Sequence, residues 1–591
     1  MQVIPANLTD NSMRDNCRER RQLFSLGLNH IRSRLGVRLF RLRLSQIRRD
    51  MAPGMDLLVA AAFALTLAAC GGGGRQTPPP PLQDFTLSIS PVSASAVVGG
   101  TSSTVVVSFS PQNGFSNSVD IALQGLPSGV TATPGSSFTL QPGVAQPVVF
   151  SVSSSAPVGL FQLTVTGTAG PESHSAQLAL TTEPVVSVHT YQSGSVLYLE
   201  SDSGTDASRI GLQTFWGGSI VEVSLNGTNF VNEHDTGREV QAAEYDGNAK
   251  YDACAGCTGT FGWNPVQGGD KYNQGSPVLA QTLATDSLYI KTQPYQWNPD
   301  DKGGGPGQPV VGDVYVEATV SAVTNHAFTF KVHYKIAHFG SDHHANNIQE
   351  FPAVYVNLGF DRFVCNSSTT PWTGSSLTFV TMPQLPMFGP TLYASERWGA
   401  FVDNSDSGLT VFVPSMAPYL GGFAAAGDSG PNGFGTNYFA PRTFFTFNPS
   451  SVLEGDVYLI AGDYKHARQV IYDLHNSLPA NDIFAPFGSV DSPAPGAQLS
   501  GTANVAGWAL DDTAVSKVDI YVDGSLAGTA AYGGSRPDVA NDFPNAPAAI
   551  GYNFSLNTTT YSNGSHTVEV RAVDTSGNVA VFPDVAVTIQ N

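Results

Sequence analysis

Short runs of alternating apolar and polar residues are the feature that most constrains the fold of this chain. From residue 84 onward they recur at close spacing, and Gly, Pro, Asn and Ser interrupt them. Because strand side chains point alternately to the two faces of a sheet, this pattern predicts half-buried β-strands. The frequent Gly (61) and Pro (39) also favour strands and turns over helices. We therefore predict an all-β protein with several domains in its 591 residues.

The first domain is predicted at residues 84–184. About seven alternating strands in such a length indicate an immunoglobulin-like sandwich. The segment, including Leu126-Pro127-Ser128-Gly129-Val130, resembles the Ig-like domains of bacterial secreted proteins. It contains no Trp and no cluster of catalytic residue types, so we expect it to be a spacer.

The last domain is predicted at residues 487–591. Its segments 507–512, 518–524, 536–539 and 563–572 resemble a bacterial Ig-like repeat found at the ends of surface enzymes. The resemblance implies a second Ig-like sandwich. We expect Trp508 in its core, with a ligand platform as the alternative. The acidic residues Asp511, Asp512 and Asp574 offer oxygen ligands for Ca²⁺, although acidic turn residues need no metal.

Residues 1–70 are predicted to be a leader. A basic run at 38–49 precedes an apolar run at 57–66, which is too short to span a bilayer and is typical of a signal peptide. Residues 1–50 are an over-extension if translation starts at Met51 or Met55. The apolar run ends in Leu67-Ala68-Ala69-Cys70, which resembles the bacterial lipobox. This resemblance implies lipid on Cys70; a plain secretory signal is the alternative. A Gly/Pro linker follows at 71–83.

The charge distribution excludes a nucleic-acid partner. Without the 11 Arg and five acids of residues 1–70, the chain carries 17 basic and 42 acidic residues, a net charge of −25. Such a surface repels phosphate backbones. We expect a monomer in which the membrane is contacted through the lipid anchor only.

The central region, residues 185–486, is predicted to be a large antiparallel two-sheet sandwich. Its strands include a hairpin at Asn226-Gly227 and are followed by one helix at 464–475. The order Gly-Gly, strand, Asn226-Gly227 and then Asp-Thr-Gly-Arg238 resembles the galactose-mutarotase-type supersandwich of sugar epimerases, glycosidases and polysaccharide lyases. This resemblance implies a carbohydrate polymer as the ligand.

The candidate catalytic residues are carboxylates beside aromatic rings. Glu396 shares a strand face with Trp398, and Glu350 precedes Phe351-Pro352 after a His-rich loop. A pair of carboxyl groups across a cleft suits glycoside hydrolysis, so we predict Glu350 and Glu396 as the acid/base pair. The alternative makes Glu396 an ion-pair partner and Glu350 a turn residue.

Two further residues are expected to assist. His338 falls on the apolar face of its strand, opposite to His333, and is either a core histidine or a general acid lining the cleft. Arg238 offers a planar donor for a carboxylate or for vicinal hydroxyls, although its acidic neighbours are alternative partners.

Aromatic and polar side chains are expected to bind the sugar, because sugars stack on flat rings. Several of them lie on the long loops at 251–273 and 293–308. The predicted substrate-binding residues are Trp263, Trp297, Trp372, Trp398, Tyr295 and Asp270.

The remaining cysteines and histidines do not lead us to assign a metal or another cofactor. Cys254 and Cys257 have no second Cys pair and are predicted to form a small loop disulfide. Among the histidines only His343 and His344, which lie with Asp342 in a loop, remain as candidate metal ligands. The sequence thus predicts a surface lipoprotein that acts on carbohydrate and cleaves glycosidic bonds; the alternative is a non-catalytic glycan-binding or adhesion protein.

Overall fold

The structure, a computed structural model, describes residues 81–232, 239–246, 263–381, 391–426, 436–478 and 484–591. The predicted lipidation site Cys70, the disulfide pair Cys254 and Cys257, and Arg238 lie outside these residues. Strands account for 57% of the structure and helices for 6%, which confirms the all-β prediction. No helix in the described ranges is long and apolar enough to cross a membrane.

The first domain is a sandwich of two sheets with the orders β1-β3-β7-β5 and β2-β9-β8-β4-β6. Along β4, Val119, Ile121 and Leu123 are buried and the residues between them are more exposed, as the alternation predicted. The strands are β1 (Asp84–Ser90), β2 (Ser93–Val97), β3 (Val105–Gln112), β4 (Val119–Gln124), β5 (Val130–Thr133), β6 (Ser137–Leu140), β7 (Gln146–Val152), β8 (Gly159–Ala169) and β9 (Glu172–Glu183).

The central domain contains most of the strands and one long helix. Its elements are β10 (Ser187–Ser193), β11 (Val196–Asp202), β12 (Ala207–Gln213), β13 (Ser219–Leu225), β14 (Thr228–Asn229), β15 (Val240–Ala243), β16 (Pro265–Val266), β17 (Val278–Leu283), β18 (Ser287–Thr292), β19 (Tyr295–Gln296), β20 (Val314–Ala322), β21 (Thr329–His338), β22 (His344–Asn357), β23 (Arg362–Cys365), β24 (Thr378–Thr381), β25 (Leu392–Tyr393), β26 (Trp398–Val402), β27 (Ser407–Phe412), β28 (Tyr419–Ala426), β29 (Thr436–Pro441), β30 (Thr443–Phe447), β31 (Val452–Asp463) and helix α1 (Tyr464–Ser477).

These strands form a 13-stranded and a nine-stranded sheet that pack on each other. The larger sheet contains the path β10-β11-β12-β13-β15-β22-β29-β28-β25, and the smaller has the order β17-β18-β20-β21-β31-β27-β26-β23-β24. Their shared core includes Ile210 and Val354 from the larger sheet and Val332 and Leu459 from the smaller. Burial of each such side chain contributes about 1.5–3 kcal/mol, so this interface is the main source of the domain's stability.

Strand parity in β21 follows the sequence prediction. Val332, Tyr334, Ile336 and His338 are buried, whereas His333 points to the other face. There it pairs with Glu454 and Asp456 of β31 at 2.9 and 2.8 Å. The histidines at 333 and 338 therefore lie in different environments, as their spacing predicted.

The predicted turn and helix are also confirmed. Asn226 and Gly227 both have positive φ, 51° and 80°, and join β13 to β14. Helix α1 begins after Asp463, whose carboxylate accepts a hydrogen bond from the Lys465 backbone N–H. Its apolar face, which includes Val470 and Ile471, packs on the nine-stranded sheet.

The last domain is again a two-sheet sandwich, with the orders β32-β34-β38-β37 and β33-β41-β39-β35-β36 and with β40 paired to β39. Its elements are β32 (Phe487–Ser492), β33 (Ala497–Leu499), β34 (Thr502–Leu510), β35 (Val515–Val522), β36 (Ser525–Thr529), β37 (Ala531–Ser535), helix α2 (Pro537–Asp542), β38 (Ala549–Asn557), β39 (Gly564–Asp574), β40 (Val579–Val581) and β41 (Val585–Ile589).

The acidic residues of this domain are occupied by protein partners. Asp574 Oδ1 accepts backbone N–H bonds from Ser576 and Asn578, both at 2.8 Å. Asp511 caps the turn that follows it, and Asp512 pairs with Arg397 of the central domain. These contacts explain the three carboxylates without the Ca²⁺ considered from the sequence.

An aromatic cluster joins the last domain to the central one. Phe487 stacks on Phe444 of β30 at a centroid distance of 4.2 Å, and Phe543 packs against Tyr419 of β28 at 5.2 Å. Trp508, predicted to lie in the core of its own domain, is partly buried in this junction instead, edge-on to Phe487.

A buried carboxylate joins the first domain to the central one. Glu183, the last residue of β9, is 1% exposed and receives His466 Nε2 of α1 at 2.7 Å. His326 Nδ1 lies 3.9 Å from the same oxygen. Burial acts to raise the pKa of Glu183, but the two histidines outweigh it and lower this pKa to about 2. Glu183 in turn raises the pKa of His466, against the effect of its burial.

The Glu183–His466 pair predicts a pH-dependent stability. Its contribution is complete above the ordinary Glu pKa of 4.5 and is lost as the pH falls through about 2. The contribution of His466 is complete below the ordinary His pKa of 6.5 and is lost as the pH rises through the higher folded-state pKa of His466.

We expect the free energy of unfolding, measured with denaturant, to fall above pH 6.5. This fall should be smaller in His466→Gln. His189→Gln, at a more exposed pair with Glu200, is the control; an unchanged pH slope in His466→Gln contradicts the prediction.

Candidate functional site

A group of buried polar side chains lies where β15 and β22 meet in the 13-stranded sheet. Ala243 of β15 pairs with Glu350 of β22, and the register shifts between Gln241 and Ala243. Beyond this irregularity the Tyr245 backbone is held by the Gln349 amide, through N–H···Oε1 at 2.7 Å and Nε2–H···O at 3.1 Å. The local geometry therefore places residues 244–246 beside the carboxyl group of Glu350.

Glu350 is bound by tyrosine hydroxyls. Tyr438 of β29 donates a short hydrogen bond to Glu350 Oε1, and Tyr245 forms a second hydrogen bond with the same carboxyl group. The Tyr438 ring packs on Tyr355 at 4.6 Å, which fixes its position. Burial raises the pKa of Glu350, while the two tyrosines and the positive charge of Arg442 oppose this shift. A carboxyl group with a raised pKa keeps its proton closer to neutral pH, as a general acid requires.

Glu244 provides a second carboxyl group at this site. It is completely buried, and within the described residues neither of its oxygens has a hydrogen-bond partner. Burial and then the negative charge of Glu350 raise the pKa of Glu244 well above its ordinary value. Burying such a group without partners is costly, and this cost disfavours its ionised form. The sequence analysis missed Glu244; its position beside Tyr245, close to Arg238 and its acidic neighbours, was the available signal.

Arg442 supplies the positive charge. It lies between β29 and β30, and its Nε is buried with no hydrogen-bond partner in the described part of the chain. A Cβ on Gly421 would come within 2.2 Å of Arg442 Nη2, so the glycine makes room for the guanidinium. Burial lowers the pKa of Arg442, and Tyr438 and Glu350 oppose this. A planar donor of this kind suits a carboxylate or vicinal hydroxyls, the role that the sequence suggested for Arg238.

Glu396 does not face Glu350, contrary to the expectation for an acid/base pair. It precedes β26 of the nine-stranded sheet, and its side chain is fully buried. Arg468 of α1 binds both of its oxygens, through Nε at 3.1 Å and Nη2 at 2.9 Å. Tyr472, Trp398, Trp372 and Asn366 donate further hydrogen bonds to it. Glu396 is therefore the centre of an internal ion pair, the structural alternative considered above.

Several predicted sugar-binding residues are packed inside the protein. Trp398 is 0% exposed and Trp263 4%, so neither presents a ring face to a ligand. Asp270 is 2% exposed and caps its own loop by accepting the Tyr272 and Gln274 backbone N–H groups. The burial of Trp398, Trp263 and Asp270 therefore contradicts their predicted role in sugar binding.

The other three predicted binding residues are partly exposed. Trp372 stacks on His475 at a centroid distance of 3.7 Å, which leaves at most one ring face for a ligand. Tyr295 lies on β19, and Trp297 directly follows this strand. Both remain candidates for contact with sugar.

His338 belongs to a second polar cluster rather than to the apolar core. Its imidazole lies with Asp313, Asp342 and His344, and one ligand-type atom from each residue falls within 4.8 Å of the others. Within the described ranges this is the group with the composition of a metal site, although the sequence did not lead us to assign one. His344 begins β22, so this cluster and Glu350 lie on the same strand. The His343 side chain is directed away from this cluster, and its Nδ1 lies 2.8 Å from Asn448 Oδ1.

One family matches part of this chain. Residues 486–570 match the bacterial Ig domain family, in agreement with the last sandwich. This match points to a bacterial extracellular or surface protein. No curated protein matches the sequence.

The solved structures that resemble the chain do so weakly. The fibronectin(III)-like modules of CbhA from Clostridium thermocellum are 18% identical, with 17% of this chain and 94% of theirs covered and a TM-score of 0.13. An endo-β-1,4-mannanase from Thermotoga petrophila is 18% identical over 21% of this chain and 23% of its own, with a TM-score of 0.14.

A polysaccharide lyase is 8% identical over 68% of this chain and 48% of its own, with a TM-score of 0.25. The chain thus spans about half of the lyase and a quarter of the mannanase. These scores are too low to assign chemistry.

The ion pair of Glu396 predicts a large loss of stability on its removal. Glu396→Ala leaves Arg468 charged and buried, and we expect the free energy of unfolding to fall by about 3–5 kcal/mol. Glu454→Ala, which removes the exposed partner of His333, is the control and is expected to cost about 0–1 kcal/mol. Chemical denaturation checks both values; equal losses in the two variants contradict the assignment of Glu396 as an internal ion-pair centre.

Proposed function

We propose that the central domain cleaves glycosidic bonds of a polysaccharide, with Glu350 as the proton donor. The observation that supports this role most directly is the raised pKa of Glu350, a carboxyl group held by two tyrosines and adjacent to Arg442. Cleavage of a glycosidic bond requires a proton on the leaving oxygen, and a carboxyl group with a raised pKa supplies it at a higher pH than an ordinary Glu does.

Hydrolysis is the reaction that these groups favour. It uses two carboxyl groups about 5–10 Å apart, one protonated and one ionised. Glu244 is the electrostatic neighbour of Glu350, so ionisation of one of the two disfavours ionisation of the other. The pKa of Tyr438 is raised well above its ordinary value by burial and by Glu350, so its hydroxyl acts as a donor and not as a base. Arg442 has the geometry to hold a sugar carboxylate or vicinal hydroxyls.

Glycan binding without catalysis is the second candidate. The complete burial of Glu244 favours it, because a buried carboxyl group has no direct access to a sugar ring. In this case Glu350 and Arg442 would hold hydroxyl groups and no bond would be cleaved.

The proposed setting is the bacterial cell surface, with the protein attached to the membrane by lipid on Cys70. The Leu-Ala-Ala-Cys sequence supports lipidation, and the bacterial Ig domain match supports the location.

Substitution of Glu350 tests the catalytic role. The full chain is incubated with a polysaccharide panel, and new reducing ends and unsaturated products are measured. Glu350→Gln is expected to lower turnover by about 10²–10⁴-fold while glycan affinity stays within a few-fold. Glu222→Gln, on β13 of the same sheet, removes a carboxylate paired with Arg209 and is the matched control.

Tyr438→Phe provides an independent readout. The Tyr438 hydrogen bond lowers the pKa of Glu350, so its loss raises that pKa further. The activity of a protonated acid is lost as the pH rises through its pKa, and the alkaline limb of the pH–activity profile should therefore move to higher pH.

Detection of unsaturated products would show that the bond is cleaved by elimination and not by hydrolysis. Binding without any product would establish the second candidate, and full turnover of Glu350→Gln would remove Glu350 from the mechanism.

Lipidation is tested separately. Cys70→Ser is expected to move the protein from the membrane fraction to the soluble envelope fraction, because the acyl acceptor is removed. Immunoblotting of fractionated cells measures this shift, with Cys365→Ser as the control for loss of a thiol. An unchanged membrane fraction for Cys70→Ser refutes the anchor.

A further inference from the structure

We propose that Asp313, His338, Asp342 and His344 form a binding site for a divalent transition metal, with Zn²⁺ the best match. These four residues are called the His/Asp quartet below. This site is separate from the proposed reaction at Glu350 and does not depend on it.

The fold brings the quartet together from three connected segments. Asp313 directly precedes β20, and His338 ends β21; because Val314 pairs with His338, both residues lie at the same end of the hairpin. Asp342 lies in the loop that follows, and His344 begins β22 of the other large sheet. The quartet thus joins the nine-stranded and 13-stranded sheets at one end of the sandwich.

The nitrogen–oxygen distances within the quartet lie close to or slightly above the edges of a coordination tetrahedron. His338 Nε2 is 3.3 Å from Asp313 Oδ2 and 3.7 Å from Asp342 Oδ1. His344 Nε2 is 3.8 Å from Asp313 Oδ2 and 3.7 Å from Asp342 Oδ2. Ligand bonds of about 2.0–2.2 Å around tetrahedral Zn²⁺ give edges of roughly 3.3–3.6 Å. Asp342 contacts the two histidines through different oxygens, so a contraction of the group together with a rotation of this exposed carboxylate would produce the required geometry.

The hydrogen bonds leave acceptor atoms facing one another inside the quartet. His338 Nδ1 lies 2.9 Å from the Asn448 carbonyl oxygen and donates to it, so in the neutral imidazole Nε2 carries the lone pair and faces Asp313 Oδ2 at 3.3 Å. The His344 side chain is 5% exposed, and its Nε2 has no hydrogen-bond partner among the described residues. When both imidazoles are neutral, their Nε2 atoms and the two carboxylates converge as a set of four ligands for a divalent cation.

Outer contacts fix the orientation of the ligands. Trp263 Nε1 donates to Asp313 Oδ1 at 2.6 Å, which turns Oδ2 toward the histidines. The Trp263 ring stacks on His344 at 3.8 Å, and His344 Nδ1 lies 3.4 Å from Asp246 Oδ2. A second partner on the far nitrogen of each imidazole is the usual support of a metal-binding histidine.

Gly340 keeps space open beside the ligands. A Cβ at this position would lie 2.4 Å from Asp313 Oδ2, 2.5 Å from His338 Nε2 and 2.7 Å from Asp342 Oδ1. A point so close to three ligand atoms is free of protein atoms only because residue 340 is glycine. Substitution by alanine therefore tests the site without the removal of a ligand.

The donor set selects the metal. Two imidazoles and two carboxylates suit Zn²⁺, whereas Ca²⁺ takes six to eight oxygen ligands. Asp342 is 63% exposed, so the ion can enter from solvent. Bound there, it would hold the first residue of β22 to the β20–β21 hairpin.

The test uses the tag-free full chain after treatment with a chelator. Zn²⁺ is titrated by calorimetry, bound metal is counted by elemental mass spectrometry, and thermal unfolding is followed with and without Zn²⁺. One Zn²⁺ per chain and a higher unfolding temperature are expected. The site-specific variants are Asp342→Asn, which changes an exposed ligand, and Gly340→Ala, which fills the space; each is expected to weaken Zn²⁺ binding by at least about 10-fold.

His343→Gln is the matched control, since this neighbouring histidine points away from the quartet. It should retain wild-type affinity and stoichiometry. Co²⁺ in place of Zn²⁺ should give the visible absorption of a four-coordinate ion, and Asp342→Asn should change that spectrum. Absence of Zn²⁺ binding overturns the proposal, as does binding that Asp342→Asn and Gly340→Ala leave unaltered.

Discussion

The packing of two large sheets on a common apolar core is the constraint on which the rest of the structure depends. Because strand side chains alternate, each residue assigned to the core sends its neighbours to the opposite face. β22 shows the consequence within one strand. Phe351, Val354 and Val356 lie in the core, so the alternation changes phase between Phe351 and Val354. Glu350 and Tyr355 each adjoin one of these core residues and face the polar group, and His344 at the start of the strand belongs to the quartet. Movement of β22 would therefore disturb the core, the polar group and the quartet.

Four buried glutamates in the described part of the chain have two kinds of surroundings. Glu183 and Glu396 are enclosed but have cationic partners, and they join structural elements. Within the described residues Glu244 is enclosed and its oxygens have no hydrogen-bond partner. Glu350 is held by tyrosine hydroxyl groups, and burial raises the pKa of its carboxyl group. Uncompensated burial costs stability and is retained mainly where it shifts a pKa for function. This difference, more than proximity to tryptophan, identifies the candidate site.

Local pattern was sufficient to predict the strands, the all-β class, the Asn226-Gly227 turn and helix α1. Strand parity also separated the environments of His333 and His338. It could not identify the ion pair of Glu396, because Arg468 is 72 residues away along the chain. The same limitation hid the quartet, in which Asp313 and His338 are 25 residues apart and meet only through hairpin pairing. Contacts between distant segments depend on topology, which periodicity does not encode.

The aromatic junction at Phe487 gives the last domain a mechanical connection to the candidate site. Phe444, the residue on which Phe487 stacks, pairs with Ile348 of β22, two positions before Glu350. Arg397 and Asp512 add a charged contact between the same two domains. The Ig-like module thus supports the strand that carries Glu350. Shortening the chain at residue 486 would uncover Phe444 and Tyr419 and release β30 on one side, so such a truncation alters the site as well as removing an appendage.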